Sequence, residues 1–192
     1  MIDDRNLIIQ TQKGNLHALG LLYDHHKAMV YRTALAITGD PDASADLLQD
    51  AFLRLHRFID RIDPNRPLEP WLYRITTNLA YTLVKRRNRW IKPFEDIAEW
   101  LSNGKRQSPD QQAEDNDEWL IVKKAIASLS VEQRIVVVLF YINDLSILEI
   151  SDILMIPVGT VKSRLYYGRQ ALKQYIDSEG EINIREVHYE FT

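Results

Sequence analysis

The chain has 192 residues, 45% of them hydrophobic and 27% charged, with a formal net charge of −3 and no cysteine. That content supplies the core of one medium domain or two small ones and excludes a low-complexity or disordered chain. The missing cysteines exclude disulfides and thiolate metal sites, and the overall charge taken as one number argues weakly against nucleic-acid binding.

The first residues, MIDDRNLIIQ, are acidic and lack the basic, then apolar, then small-residue order of a secretory signal. Asp4–Gln12 is the first predicted helix. Asn15–Thr38 is a longer one, with Leu19, Leu22, Met29 and Ala36 on its apolar side, and Gly39 ends it. Asp40 then caps a new helix with Pro41 in the first turn, where a missing N–H costs nothing. This helix reaches about Ile59, and its apolar residues Leu47, Leu48, Ala51, Phe52, Leu55 and Ile59 recur at three- and four-residue spacing. Asp60–Pro67 is a turn-rich break holding Pro64 and Pro67. The next helix runs from about Pro70 to Arg87 and buries a stripe of Trp71, Leu72, Ile75, Leu79 and Leu83.

Residues 91–113 lose this period and gather Pro93, Gly104 and Pro109, which predicts a linker. Further on, Ser130-Val131-Glu132-Gln133 and Ser146-Ile147-Leu148-Glu149 both fit the capping box, so helices are expected from Val131 and Ile147. The turn Leu154-Met155-Ile156-Pro157 precedes a last helix over about Val158–Ile176. The tail Glu181–Phe191 alternates in part like a strand and has no assignable role. The longest apolar run, Ile135–Tyr141, falls far below the ~20 residues that span a bilayer, so a cytoplasmic protein without membrane insertion is expected. The expected fold class is all-α: two small helical domains, 1–90 and 119–177, joined by a flexible acidic linker, 91–118, and followed by a tail, 178–192.

Charge follows the same division. Residues 1–92 carry 14 Lys and Arg against 10 Asp and Glu, residues 93–118 carry 2 against 8, and residues 119–177 carry 7 against 5. Two mildly basic blocks therefore flank an acidic segment, and the densest basic cluster is Lys85-Arg86-Arg87-Asn88-Arg89.

Leu145–Leu172 reads as a short capped helix, a tight turn and a second helix with Val161, Leu165 and Leu172 facing in. That is helix-turn-helix architecture, whose second helix enters the major groove. Thr160, Lys162, Ser163, Arg164, Tyr166 and Tyr167 are its candidate contacts to bases and phosphates. Backbone N–H groups at Gly159 and Thr160, after Pro157, are a further candidate phosphate site. The bland alternative is a helical hairpin with a solvated basic face. A second candidate surface lies on the Pro70–Arg87 helix, where Arg74, Asn78, Tyr81 and Lys85 share one side and Arg86 continues it. Cations interleaved with an aromatic and an amide suit a nucleic-acid backbone and an exposed base. A solvated face whose cations complement the helix dipole is the alternative there.

Two segments resemble the extracytoplasmic-function (ECF) sigma factors of bacterial RNA polymerase. The first runs Gly39-Asp40-Pro41-Asp42-Ala43-Ser44-Ala45-Asp46-Leu47-Leu48-Gln49-Asp50-Ala51-Phe52-Leu53-Arg54 and continues at Pro70–Ala80; the second is Leu145–Leu172 with its core Pro157-Val158-Gly159-Thr160-Val161-Lys162-Ser163-Arg164-Leu165. The resemblance implies a factor that directs core RNA polymerase to one promoter class and assists DNA melting. It implies that Asp46, Gln49, Asp50, Leu53 and Arg54 dock on the polymerase. It implies that Asn65 and Arg66, in the loop Asp60–Glu69, contact a flipped-out base of the start-proximal promoter element. The Arg74, Asn78, Tyr81, Lys85 and Arg86 face would then hold the displaced strand, the last helix would read the upstream element as duplex, and the acidic linker would thread the polymerase's nucleic-acid channel. An anti-sigma factor is the expected inhibitory partner.

The chain departs from the family pattern at Leu68-Glu69-Pro70, at Met155 where glycine is common, and at Tyr167-Gly168 where Arg and Ala are common. Glu69 would repel a nearby phosphate. Met155 costs ~1 kcal/mol if that turn needs a positive φ, and a helix-interior Gly168 costs roughly 1 kcal/mol relative to Ala. His25 and His26 are adjacent and are expected to face different sides of a helix, so no metal is expected, nor any cofactor. No catalytic constellation stands out, and the chain is read as a non-enzyme. The alternative function is a helix-turn-helix regulator acting without core polymerase.

Overall fold

The computed structural model describes residues 4–87 and 121–179. The predicted linker, residues 180–192 of the tail, Asn88 and Arg89 of the basic cluster, and Trp90, Trp100 and Trp119 lie outside the described residues. Everything described is helix, turn or loop. The helices are α1 (Asp4–Gln12), α2 (Leu16–Thr38), α3 (Pro41–Phe58), α4 (Glu69–Arg87), α5 (121–128), α6 (Val131–Tyr141), α7 (Ile147–Leu154) and α8 (Val158–Glu179), with a single 3-10 turn at Ile59–Arg61.

Local chemistry sets the ends of these helices. The Asn15 side chain accepts from the backbone N–H groups of His17 and Ala18, and the Asp40 side chain accepts from Ala43 N–H. Between them Gly39 turns the chain at φ 67°, a left-handed conformation that glycine adopts without a Cβ clash, and its N–H closes α2 on Leu35 O. Both predicted capping boxes are present, Ser130 with Gln133 and Ser146 with Glu149. The third helix stops one residue earlier than expected, because Ile59 opens the 3-10 turn.

The first four helices pack around Ile8, Leu22, Ile37, Leu55, Leu68 and Leu72, all fully buried. The predicted stripe on α4 needs correction. Trp71, Ile75 and Leu83 are only half-buried, whereas Tyr73, Thr76, Thr77, Ala80 and Val84 are buried beside Leu72 and Leu79. The cause is that α4 packs on two sides, against α2 and α3 and also against α6 and α7. Thr76 and Thr77 tolerate this because their hydroxyls donate back to Leu72 O and Tyr73 O at 2.8 Å.

The two modules thus share one continuous core. Val131 and Ile135–Leu139 of α6 are all buried. A helix that is apolar around most of its circumference has to be covered on more than one side; here α2 and α4 cover one side and α8 another. Gly168 makes the α6–α8 approach possible: a Cβ there would lie 2.9 Å from Val137 Cγ2. The glycine that departs from the family pattern therefore answers a packing demand.

Candidate nucleic-acid interface

The sharpest turn in the second module links α7 to α8. Met155 sits at φ 53°, ψ 45°, so the expected strain is real, and its side chain is 66% exposed. Ser151 holds the turn from both directions: its backbone carbonyl accepts from Met155 N–H, and its hydroxyl donates to Ile156 O at 2.6 Å. Val161 and Leu165 are fully buried and Leu172 half-buried, which fixes the outward side of α8. Lys162, Ser163, Tyr166 and Tyr167 are exposed there, and Thr160 and Arg164 are half-buried at its margins. The rings of Tyr166 and Tyr167 meet edge to face with centroids 5.4 Å apart. One expectation fails: the Thr160 N–H is not available to a phosphate, because it donates to Pro157 O at 2.8 Å.

On α4, Arg74, Asn78, Tyr81, Lys85 and Arg86 are all exposed, and the first four lie along one side as their spacing predicts. Lys85 Nζ stands 5.4 Å from the Tyr81 ring centroid, a cation-π contact that joins the two. The loop before α4 presents Asn65 and Arg66 to solvent. Asp63, which sequence reasoning missed, organises it: its carboxylate accepts from Asn65 N–H at 2.9 Å and Asn65 Nδ2 at 3.2 Å, and lies 3.5 Å from Arg66 Nε. Gln12, also missed, pins the start of the loop by donating to Ile59 O at 3.0 Å and Ile62 O at 2.9 Å. Glu69 falls in the first turn of α4, where a carboxylate complements the positive end of the helix dipole. On α3, Asp46, Gln49, Asp50, Leu53 and Arg54 form an exposed face, with Leu53 67% exposed.

The modules meet through polar contacts that no local pattern announces. Lys85 Nζ lies 2.9 Å from Glu132 Oε1, and the Tyr81 hydroxyl lies 3.3 Å from the same oxygen. The hydrogen bond and charge of Glu132 raise the Lys85 pKa, and Lys85 in turn lowers that of Glu132. Asn143 Nδ2 donates to Thr33 Oγ1 at 3.0 Å. Buried Arg134 donates to Ile37 O at 2.8 Å, to Leu129 O at 3.1 Å and to Ala127 O. Desolvation lowers its pKa. A signal for Arg134 existed, a lone cation ahead of an apolar run, but its partners lie too far along the chain to be read locally.

The expectation for His25 and His26 is also corrected. Their side chains converge on Asp4 of α1, with His26 Nε2 at 2.6 Å and His25 Nδ1 at 2.9 Å from its two oxygens. Adjacent helical positions diverge by only about 100°, and two long side chains can swing toward one acceptor on a neighbouring helix. These hydrogen bonds fasten α1 to α2.

With this geometry in view, the class of protein is defined by known relatives. Residues 22–90 match the family Sigma-70 region 2, and residues 119–172 match Sigma-70, region 4. The chain is 32% identical over 178 residues to the ECF RNA polymerase sigma factor SigW of Bacillus subtilis (strain 168), covering 88% of this chain and 94% of that one. It is 36% identical over 157 residues to ECF sigma factor SigE of Mycolicibacterium smegmatis, covering 81% of this chain and 60% of the relative. Among solved structures, CnrH in complex with the cytosolic domain of CnrY aligns with a TM-score of 0.68 at 25% identity, over 93% of this chain and all of that one. The sigma factor RpoE bound to the anti-sigma factor NepR from Bartonella quintana aligns with a TM-score of 0.58 at 23% identity, over 83% and 95% of the two chains.

The chain belongs to the ECF RNA polymerase sigma factors. It is a sigma factor that directs RNA polymerase to promoters, and the reading as a regulator acting without polymerase is set aside. No helix among the described residues is long and apolar enough to cross a membrane.

Proposed function

We propose that this sigma factor grips its promoter with two separate helical surfaces while α3 clings to core polymerase. On this reading Thr160, Lys162, Ser163, Arg164, Tyr166 and Tyr167 of α8 read the upstream element as duplex. Asn65 and Arg66 take a flipped base of the start-proximal element, and Arg74, Asn78, Tyr81, Lys85 and Arg86 hold the displaced strand. The observation that carries it is the α4 face: a line of cations, an amide and an aromatic, all exposed, directly after a loop built to present two further polar side chains. Stabilising an unstacked base offsets the few kcal/mol of unpairing and favours the melted duplex. Asp46, Gln49, Asp50, Leu53 and Arg54 dock on the polymerase, since acids around an exposed leucine suit a protein target better than DNA. The domains divide at 1–90 and 119–177, and the acidic segment 91–118 threads the polymerase's nucleic-acid channel.

The polymerase performs the chemistry, and this cytoplasmic factor is not itself an enzyme and uses no cofactor. An anti-sigma factor restrains it, a reading supported by the likeness to CnrH, solved in complex with the cytosolic domain of CnrY, and to RpoE, solved in complex with the anti-sigma factor NepR. Run-off transcription by core polymerase on genomic fragments tests the whole. Addition of the chain should create discrete new start sites. Alanine at Lys162 and Ser163 should weaken only promoters with the upstream element, and alanine at Asn65 and Arg66 should leave binding but impair melting. Loss of all start-site selection in the unaltered chain would overturn the proposal.

A further inference from the structure

We infer that Asp4 of α1 and His25 and His26 of α2 form a binding site for one divalent cation of the zinc class, which clamps the first helix to the second. His26 Nε2 lies 2.6 Å from one Asp4 oxygen, and His25 Nδ1 lies 2.9 Å from the other. The two imidazole rings stand 4.5 Å apart, tilted by 42°. One ligand atom from each of the three residues falls within 4.8 Å of the others, and no second group of this kind occurs among the described residues. A four-coordinate zinc ion holds nitrogen and oxygen ligands at about 2.0–2.2 Å, which sets them roughly 3.3 Å from one another. The trio reaches that spacing if the Asp4 carboxylate withdraws by less than about 1 Å. Asp4 is the first residue of α1, so a helix end absorbs the shift.

The donors select the ion. Two imidazoles and one carboxylate suit zinc and its late first-row neighbours, whereas calcium and magnesium take oxygen ligands. Three protein ligands leave the fourth position to water. Burial is graded across the site: the His26 side chain is 4% exposed, Asp4 20% and His25 39%. The buried side strengthens the attraction between ion and carboxylate, and the open side gives the ion a way in. The hydrogen that each ring nitrogen shares with Asp4 passes to the other nitrogen of that ring, or to solvent, as the ion takes its place. None of the three ligands belongs to the α3, α4 or α8 faces, so the site is separate from the promoter and polymerase surfaces. What the ion steadies is α1, whose Gln12 holds Ile59 O and Ile62 O at the start of the loop carrying Asn65 and Arg66.

The test is isothermal titration calorimetry of zinc chloride into the full chain, without an affinity tag and stripped of metal by a chelator. One zinc should bind per chain with a Kd of about 10 μM or tighter. His25→Ala and Asp4→Asn should each weaken this by about 10-fold or more, as expected for the loss of one ligand of three. Both residues lie at the rim of the site, so these variants should fold; circular dichroism checks that they do. A control chain with His17→Ala, His56→Ala and His188→Ala removes every other histidine and should bind as the unaltered chain does. Zinc should also raise the thermal midpoint of the unaltered chain and leave that of His25→Ala unchanged, because an ion held by two helices binds only the folded state. Binding weaker than about 10 μM, or more than one equivalent site, overturns the proposal. So does unaltered affinity in either His25→Ala or Asp4→Asn, loss of binding in the control chain, or a thermal midpoint that zinc does not raise.

Discussion

The guanidinium of Arg134 in α6 donates to the carbonyl of Ile37, 2.8 Å away and one residue before the end of α2. The last four carbonyls of a helix lack intrahelical partners, and a cation there is doubly suited, as donor and as countercharge to the dipole. Arg134 also serves Leu129 O and Ala127 O, just beyond and at the end of α5. One side chain therefore closes two helix ends belonging to different modules. Arg134→Ala should cost about 2–4 kcal/mol, because it strands buried carbonyls as well as removing charged hydrogen bonds. Urea unfolding checks this, and a loss under 1 kcal/mol would contradict it.

Gly168→Ala should destabilise although alanine is the better helix former. A Cβ at 168 would meet Val137 Cγ2 at 2.9 Å. Val137 is buried and a β-branched side chain in a helix has one favoured rotamer, so it yields little. Overpacking of about 1–3 kcal/mol then outweighs the gain of roughly 1 kcal/mol in helix propensity. A raised urea midpoint in the alanine variant would show that the α6–α8 contact relaxes freely.

Met155→Gly should have the opposite sign. The residue is held at φ 53° with its side chain largely in water, so removing the Cβ relieves backbone strain and sacrifices little packing. The expected gain is about 1 kcal/mol, or a few degrees in thermal midpoint. An unchanged or lower midpoint would refute it.

Leu53→Ser tests the docking face. The side chain is 67% exposed, so the isolated protein should keep its stability within about 0.5 kcal/mol. Affinity for core polymerase should fall by about 10-fold or more, as expected for an apolar anchor at an interface centre. Co-sedimentation with core enzyme measures this, and wild-type affinity would remove Leu53 from the interface.

Closure should depend on pH at both extremes. The Glu132 pKa is lowered below its ordinary value of 4.5, so its contribution is fully present above that value and is lost as pH falls through the depressed one. The Lys85 pKa is raised above its ordinary value of 10.5, so its contribution is fully present below that value and disappears as pH rises through the raised one. A distance probe between α4 and α6 should report a constant closed fraction from about pH 5 to 10 and a slightly smaller one outside it, since the Arg134 and Asn143 ties and the apolar core still hold the modules. Separation near neutral pH would rule out the Lys85–Glu132 pair as a contributor.

Much of this was legible in advance where the physics is local. Asn15, Asp40, Ser130 and Ser146 act on N–H groups two or three residues away, so their capping roles could be read from spacing. The α4 face followed from helical period alone. Errors arose where a second partner intervened. The buried stripe of α4 is wider than helical period indicates, since nothing near Thr76 or Val84 in sequence signals that a second module covers them. A helical-wheel angle separates His25 from His26, and Asp4 on a different helix draws them together. Asp63 and Gln12 were missed because polar loop residues carry no period.

The amino-acid order by itself determined where α3, α6, α7 and α8 begin, which residues line the α4 and α8 faces, and membership of a sigma-factor pattern, since all of these depend on neighbours a few positions apart. Only the tertiary structure decided that α6 is covered on two sides and that Glu132 meets Lys85 and Tyr81. The physical reason is that closure is a balance of apolar burial and a few buried polar ties between residues as far apart as Thr33 and Asn143. Contacts at that separation leave no periodic trace in either segment.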